Sequence, residues 1–332
     1  MRIDRYISIV DTHTECDPTR IVIGGIPYLF GKTMVEKRDY FKKHLDHIRQ
    51  CILYEPRGHK DAFGAVITDP VEKGSDLGIF FMDAAGYLDL CGHGTMACAN
   101  VATTLGLVIP QGKEIVQVDT PAGSVRAKIN YRDGEVCDVT VRSVPSFLYL
   151  QDVEVRTSVG SVKVDISYSG NFFAFLEAKA VGYSVKNEHF PDLIRIGLEI
   201  KKELNRKVKV VHPELPHINT VELIEFLDRP NHPEAHYKNL LVYGEGALAR
   251  DPCATGTCAK LALEVAKGKR KLNEELVYEG ILGTIYRARA VEKTKVGHLD
   301  AVIPEITGRT FITGFLNIVS DHRDPMENGW LI

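Results

Sequence analysis

Two cysteines, Cys91 and Cys253, stand in a short motif that occurs twice in the chain. In both copies the third and fourth residues after the cysteine are glycine and threonine, and an apolar segment follows. The match continues without a gap to a closing glycine, Gly106 in the first copy and Gly268 in the second. We therefore expect a small-residue turn and an apolar helix in each half, with a cysteine just ahead of the helix.

A cysteine in this position is suited to acid–base chemistry. A thiol has an ordinary pKa of about 8.5, and a helix N-terminus lowers it by stabilising the thiolate. Small residues in the first turn leave backbone N–H groups open to a bound anion. Two such turns facing across a cleft would hold a carboxylate and place one sulfur on each side of its α-carbon. That arrangement predicts proton exchange at a stereocentre, in which one thiolate removes a proton and the other thiol delivers one.

The composition of the chain argues against several classes of function. The chain has 332 residues, enough for two cores or one large one. A net charge of −3 and a pI of about 6.5 predict no nucleic-acid or anionic-membrane partner, and no apolar run reaches the length of a bilayer span. Seven scattered cysteines, an odd number, are typical of reduced thiols, so we expect a cytoplasmic protein without disulfides.

The order of the elements also repeats. A helical period from about residue 34 to 53 is followed by strands at 65–68 and 78–82, and then by the first cysteine helix. In the second half, an apolar helical stripe after Pro191 precedes strands at 208–211, 221–224 and 240–243 and the second cysteine helix. The sequence predicts an α+β fold of two similar domains, residues 1–150 and 151–304. The strand-like tail, residues 305–332, is expected to join the first domain.

The chain resembles the proline racemase family, which includes 4-hydroxyproline epimerases. The resemblance covers nearly the whole chain and rests on several motifs: Asp11-Thr12-His13-Thr14 with Thr19-Arg20, Glu55-Pro56-Arg57-Gly58-His59, Phe81-Met82-Asp83, Cys91-Gly92-His93-Gly94-Thr95, Pro252-Cys253, Ala259-Lys260-Leu261-Ala262 and Ile312-Thr313-Gly314.

This resemblance implies a cofactor-independent, two-base racemase or epimerase of a free cyclic amino acid, commonly a homodimer. Its fold would resemble that of diaminopimelate epimerase, with the active site between two similar domains. The implied substrate is proline, with 4-hydroxyproline as the alternative. The implied catalytic residues are Cys91 and Cys253. The implied substrate-binding positions are the amides of Gly92, His93, Ala254 and Thr255 and the aromatic rings of Phe63 and Tyr243.

Two residues depart from the family pattern Asp-Arg-Ser-Pro-Cys-Gly. Ala249 replaces an aspartate that contacts the substrate nitrogen in the family, and Ala254 replaces a glycine. A desolvated ammonium needs hydrogen-bond acceptors, so we expect Asp251 or another acidic or polar group to bind it instead, with Glu245 as the second candidate. The family's dehydratase subgroup lacks one of the two cysteines, and the presence of both here argues against that activity.

Other interpretations stay open at this level. His93 could cap its own turn or support the adjacent thiol electrostatically, and His217 and His232 could line the pocket or be ordinary core or surface histidines. The other five cysteines are interpreted as small hydrophobic side chains. The cysteine and histidine spacings do not match a structural zinc site, and no phosphate-binding loop is present, so we expect no metal or nucleotide. A hydrolase with one nucleophilic cysteine and an amino-acid-binding protein without chemistry are the alternative classes.

Overall fold

The structure is a computed structural model that describes residues 3–108 and 114–332. The chain folds into two compact units. Unit 1 comprises Met1–Val139, as far as it is described, and Arg309–Ile332, whereas unit 2 comprises Thr140–Gly308. Among the described residues, no helix is long and apolar enough to span a membrane.

Strands outnumber helices in both units. The described helices are α1 (Met34–His44), α2 (Asp46–Leu53), α3 (Gly92–Thr104), α4 (Phe190–Lys207) and α5 (Ala254–Ala266). The described strands are β1 (Arg5–Thr14), β2 (Asp17–Gly24), β3 (Phe63–Thr68), β4 (Leu77–Asp83), β5 (Tyr87–Leu88), β6 (Ile115–Thr120), β7 (Gly123–Arg132), β8 (Glu135–Arg142), β9 (Phe147–Thr157), β10 (Gly160–Tyr168), β11 (Phe172–Glu177), β12 (Val221–Asp228), β13 (Tyr237–Tyr243), β14 (Ala247–Leu248), β15 (Glu275–Glu279), β16 (Ile285–Val296), β17 (Leu299–Gly308) and β18 (Thr310–Ser320). This mixture confirms the predicted α+β class.

Unit 1 is built on a mixed sheet in the order β18-β1-β2-β3-β4-β6-β7. The pairs β2–β3 and β4–β6 are parallel, and the other neighbours are antiparallel. A parallel pair needs a crossover connection. The segment between β2 and β3 carries α1 and α2, and the segment between β4 and β6 carries α3.

The two crossovers of unit 1 cover opposite faces of its sheet. Successive side chains of a strand point to opposite sides, so neighbouring residues of β4 show which helix covers each face. On β4, the ring of Phe80 lies 5.2 Å from that of Phe41 in α1. The next residue, Phe81, points the other way and packs under Gly94 in α3. The core on the α1 and α2 side contains Phe41, Leu45, Ile48 and Ile52, the apolar face that the helical period predicts.

Unit 2 repeats this order in the sheet β9-β10-β11-β12-β13-β15-β16-β17. Again two pairs are parallel, β11–β12 and β13–β15. Helix α4 lies in the first crossover and α5 in the second. On β12, Phe226 faces α4 at Gly197, and its neighbour Glu225 faces α5 at Gly256. The predicted apolar stripe of α4 is buried: Leu193, Ile196, Ile200 and Leu204.

Three local predictions were wrong. The polar residues Asp11–Thr14 predict a turn from the sequence, but they continue β1, and the turn comes at Glu15 and Cys16, both with positive φ. The predicted helix over 34–53 is two helices separated at Leu45. Three of the four residues 208–211 are β-branched valines, but the segment forms no strand, although Val210 is buried.

A buried carboxylate anchors the loop between β3 and β4. Asp119, near the end of β6, accepts hydrogen bonds from the backbone N–H groups of Val71 and Glu72 and from the hydroxyls of Ser75 and Ser124, at 2.6–2.9 Å. Burial raises the pKa of Asp119, but these four hydrogen bonds outweigh it and hold the pKa below its ordinary value. The ionised carboxylate therefore stabilises the folded unit.

We expect Asp119→Ala to lower the free energy of unfolding by about 3 kcal/mol, since it leaves buried donors unpaired. Because the folded pKa is depressed, the wild-type advantage is present above the carboxyl's ordinary pKa and is lost as the pH falls through its lowered value. Urea denaturation between about pH 3 and 7 measures both effects. The exposed Glu135→Ala is the control and should change stability by less than about 0.5 kcal/mol. An equal loss in both variants would contradict the anchoring role.

Candidate active site

In unit 1, Cys91 is the N-cap residue of α3. Its Sγ accepts a hydrogen bond from the backbone N–H of Gly94 at 3.3 Å. The residue is 6% exposed, so the sulfur sits at the buried, electropositive end of the helix. The backbone N–H groups at this end stabilise negative charge on the sulfur.

The His93 side chain lies beside the same sulfur. Its Nδ1 is 3.2 Å from Sγ of Cys91 and 3.8 Å from Oδ2 of Asp17. The ring packs against Phe63 at 4.8 Å, and the hydroxyl of Thr14 donates to the backbone oxygen of His93 at 3.1 Å. A carboxylate, an imidazole and a thiol therefore form one buried cluster around Nδ1 of His93. This contact supports the electrostatic role of His93 more than a simple turn cap.

In unit 2, Cys253 is the N-cap residue of α5. Its Sγ accepts from the backbone N–H of Gly256 at 3.3 Å, as in the first copy. The hydroxyl of Thr255 lies 4.0 Å from the sulfur. The backbone differs, however, because Cys253 has φ +58°, whereas Cys91 is extended at φ −139°. A non-glycine residue in this region costs about 1–3 kcal/mol, which the surroundings must offset.

Asp251 holds this strained turn. Its Oδ1 accepts the backbone N–H of Cys253 at 2.9 Å, and its Oδ2 accepts the hydroxyl of Tyr286 at 2.7 Å. The side chain is buried. Asp251 therefore positions the cysteine, and its expected contact with a substrate nitrogen stays a prediction.

The remaining predicted residues have varied environments. Gly92 and His93 open α3, and Ala254 and Thr255 open α5, where backbone N–H groups have no acceptor within the helix. Phe63 begins β3 and Tyr243 ends β13, both buried.

Glu245 is exposed in the loop after β13, and Ala249 is buried. His232 belongs to the turn before β13, where its Nδ1 accepts from Glu234, and His217 is half-buried in the loop before β12. Their part in binding stays a prediction.

The side chain of Arg20 makes hydrogen bonds to residues of two other family motifs in unit 1. Arg20 donates through Nε and Nη2 to both oxygens of Asp11, and through Nη1 to the backbone oxygens of Ile52 and Arg57. Strands β1 and β2 are thereby tied to the end of α2. These motif residues support the scaffold on which the first cysteine helix packs.

Two buried acids near the thiols were missed from the sequence. Asp17 lies next to His93, and Glu225 lies under Gly256. A signal for Glu225 was present, since it interrupts the apolar run Leu223-Ile224-Glu225-Phe226-Leu227. Asp17 gave no comparable signal, because it sits in a polar segment with Glu15 and Cys16.

The chain matches the family model described as Proline racemase over residues 9–331. It therefore belongs to the proline racemase family, a family of isomerases. It is 44% identical to the proline racemase of Acetoanaerobium sticklandii, with all of both chains covered. It is 37% identical to the 4-hydroxyproline 2-epimerase of Ancylobacter novellus, over 97% of each. Among solved structures, a hydroxyproline epimerase from Agrobacterium vitis with bound trans-4-hydroxy-L-proline superposes with a TM-score of 0.93 at 27% identity, covering 100% of this chain and 97% of that one.

We expect Gly256→Ala to disturb the second thiol directly. An added Cβ would lie 2.1 Å from Oε2 of Glu225 and 2.9 Å from Sγ of Cys253, so one of them must move. Stability should fall by about 1–3 kcal/mol, and alkylation of Cys253 should change in rate. Gly86→Ala is the control, because a Cβ there meets no atom within 4 Å among the described residues. Urea denaturation and peptide mapping of alkylated protein measure the two effects, and a Gly256→Ala variant matching wild type in both would contradict this packing.

Proposed function

We propose that this protein is a cofactor-independent proline racemase that interconverts L- and D-proline with two cysteine thiols. The observation that carries the proposal is the repeated helix start, in which a buried Cys91 or Cys253 sulfur accepts a backbone N–H. The 44% identity to a proline racemase over the full chain supports proline as the substrate.

In the proposed reaction, both thiols act on the same α-carbon, one on each face. The thiolate of one cysteine takes the α-proton, and the electron pair left on carbon is delocalised into the carboxylate. The thiol of the other cysteine then donates its proton to the opposite face and becomes the thiolate. The reaction thus needs no oxidant, reductant or external acid, and the reverse direction exchanges the two roles.

Backbone N–H groups supply the electrostatic part of the proposal. Those at the starts of α3 and α5, from Gly92, His93, Ala254 and Thr255, would bind the substrate carboxylate. As the carbanion forms, negative charge grows on those oxygens, and fixed N–H dipoles stabilise it without reorganising. The aromatic side chains of Phe63 and Tyr243 would contact the apolar ring of the substrate.

The alternative substrate is 4-hydroxyproline. The relative from Ancylobacter novellus and the structure from Agrobacterium vitis favour it as the second candidate. The same acid–base pair would serve, and only the groups around the substrate ring would differ. Comparing kcat/KM for L-proline and trans-4-hydroxy-L-proline by polarimetry decides between them. We also propose that the protein acts as a cytoplasmic homodimer.

We expect Cys91→Ser and Cys253→Ser, made singly, to lower proline turnover by roughly 10²–10⁴-fold in both directions. A hydroxyl is far less acidic than a thiol, so each variant loses one acid–base group at working pH. The half-buried Cys137→Ser is the matched control and should keep wild-type turnover. Chiral chromatography of products from each enantiomer measures turnover, and a thermal melt verifies folding.

Near-normal racemisation by either folded serine variant would refute the two-thiol mechanism. Loss of turnover in only one of them would indicate a single essential thiol that exchanges its proton with solvent. An absence of turnover in the wild type, with tight binding of proline, would indicate a binding protein instead.

A further inference from the structure

The side chains that lie beneath the two cysteine helices, α3 and α5, differ in chemistry. Under α3, a Cβ placed on Gly94 would touch the apolar ring of Phe81 at 2.9 Å. Under α5, a Cβ on the equivalent Gly256 would meet Oε2 of Glu225 at 2.1 Å. The same Cβ would lie 2.9 Å from Sγ of Cys253, so this carboxyl oxygen and the sulfur flank one side of one glycine.

Glu225 is also linked to the cysteine through hydrogen bonds. Its Oε1 accepts from Nδ2 of Asn239 at 2.9 Å, and the same amide nitrogen donates to the backbone oxygen of Pro252 at 2.7 Å. Pro252 is the residue directly before Cys253. The side chain of Glu225 is completely buried.

Several other ionisable groups face this carboxyl. Burial raises the pKa of Glu225 to about 7. The hydrogen bonds from Asn239 and Tyr278 and the charge of Lys260 on α5 act in the opposite direction and lower the pKa. The Asp251 carboxylate adds to the rise. Glu264, one turn after Lys260, pairs with that lysine at 3.3 Å, which reduces the positive charge felt by Glu225. Glu225 therefore changes its charge within the working pH range of a thiol.

We propose that Glu225 is a positioning residue that controls the acidity of the Cys253 thiol and so makes the two thiols of the reaction unequal. When Glu225 is ionised, its negative charge opposes formation of the Cys253 thiolate. When it is protonated, that opposition disappears. The apolar Phe81 gives Cys91 no such control. The catalytic meaning rests on the proposed racemase function, but the effect on the thiol does not.

A difference in acidity between the two thiols does not produce a preference for one direction of the racemisation. L- and D-proline have equal free energies, so kcat/KM must be equal in both directions for any racemase. The inequality shows in the pH dependence of the reactivity of each thiol. Thiol alkylation is therefore the primary measurement, and turnover is a separate one.

The experiment alkylates the full-length protein with iodoacetamide, a neutral reagent that reacts with thiolates. Peptide mass spectrometry gives separate rates for Cys91 and Cys253 from about pH 6 to 9. The variants are Glu225→Gln, which keeps the shape and an acceptor for Asn239, and Glu225→Leu, which places an apolar side chain beneath the helix, as Phe81 does in unit 1. Glu279→Gln is the control, because Glu279 is a buried acid that binds the backbone N–H groups of residues 231 and 232.

We expect Glu225→Gln to raise the Cys253 alkylation rate about tenfold near pH 8, equivalent to a thiol pKa lower by about one unit. The rates of variant and wild type should converge near pH 6, where Glu225 is protonated in the wild type. Cys91 should change less than about twofold, and Glu279→Gln should leave both thiols unchanged. The alkaline limb of kcat/KM for proline should move in the same direction as the Cys253 thiol.

An unchanged Cys253 profile in either folded variant would overturn the proposal. A parallel acceleration of both cysteines would also overturn it, since that indicates general loosening. If neither variant folds, the wild-type profile decides: Cys253 must titrate over a broader pH range than one isolated thiol, and a single simple step would refute the coupling. Loss of the proposed racemase function would show instead as absent turnover with the alkylation result intact.

Discussion

The structure depends on one hydrogen bond that occurs twice, from a backbone N–H in the first turn of a helix to a cysteine sulfur. Gly94 donates to Cys91, and Gly256 donates to Cys253, both at 3.3 Å. The donor must come close to the sulfur and to the sheet below, which explains why glycine occupies both positions. Each sheet holds its helix from beneath, and the helix in turn fixes its thiol. The parallel strand pairs that place these helices in the crossovers are thus the structural basis of the proposed chemistry.

The two copies have diverged around this shared contact. Cys91 has an extended backbone, with His93 and Asp17 beside its sulfur. Cys253 has a left-handed backbone held by Asp251, and a buried glutamate lies below it. A racemase needs each base to act as acid in one direction and as base in the other, but the two bases need not be tuned by the same groups. The two units share the same order of elements, and the proposal assigns the difference in acidity between the thiols to their differing neighbours.

Local features were predictable from the sequence because they follow from short-range rules. The cysteine helix starts and the buried stripe of α4 depend on residues within a few turns of one another. Residues 208–211 were wrongly predicted as a strand, because their β-branched side chains satisfy a strand's propensity while no neighbouring strand pairs with them in the described structure. Asp17 and Glu225 were missed because their partners, His93 and Asn239, are distant in sequence. The roles of Phe63, Tyr243, His217 and His232 stay predictions.

The most direct test of the two-thiol mechanism follows hydrogen isotopes at the α-carbon. Wild-type protein is incubated with L-proline in D₂O, and the D-product and the recovered L-substrate are analysed separately at low conversion. If two thiols act on opposite faces of the α-carbon, the product receives deuterium from the second thiol, and the recovered L-proline still carries hydrogen. Deuterium appearing equally fast in recovered substrate and product would indicate a single base that exchanges with solvent. Unlabelled L-proline with no D-product would contradict the proposed activity itself.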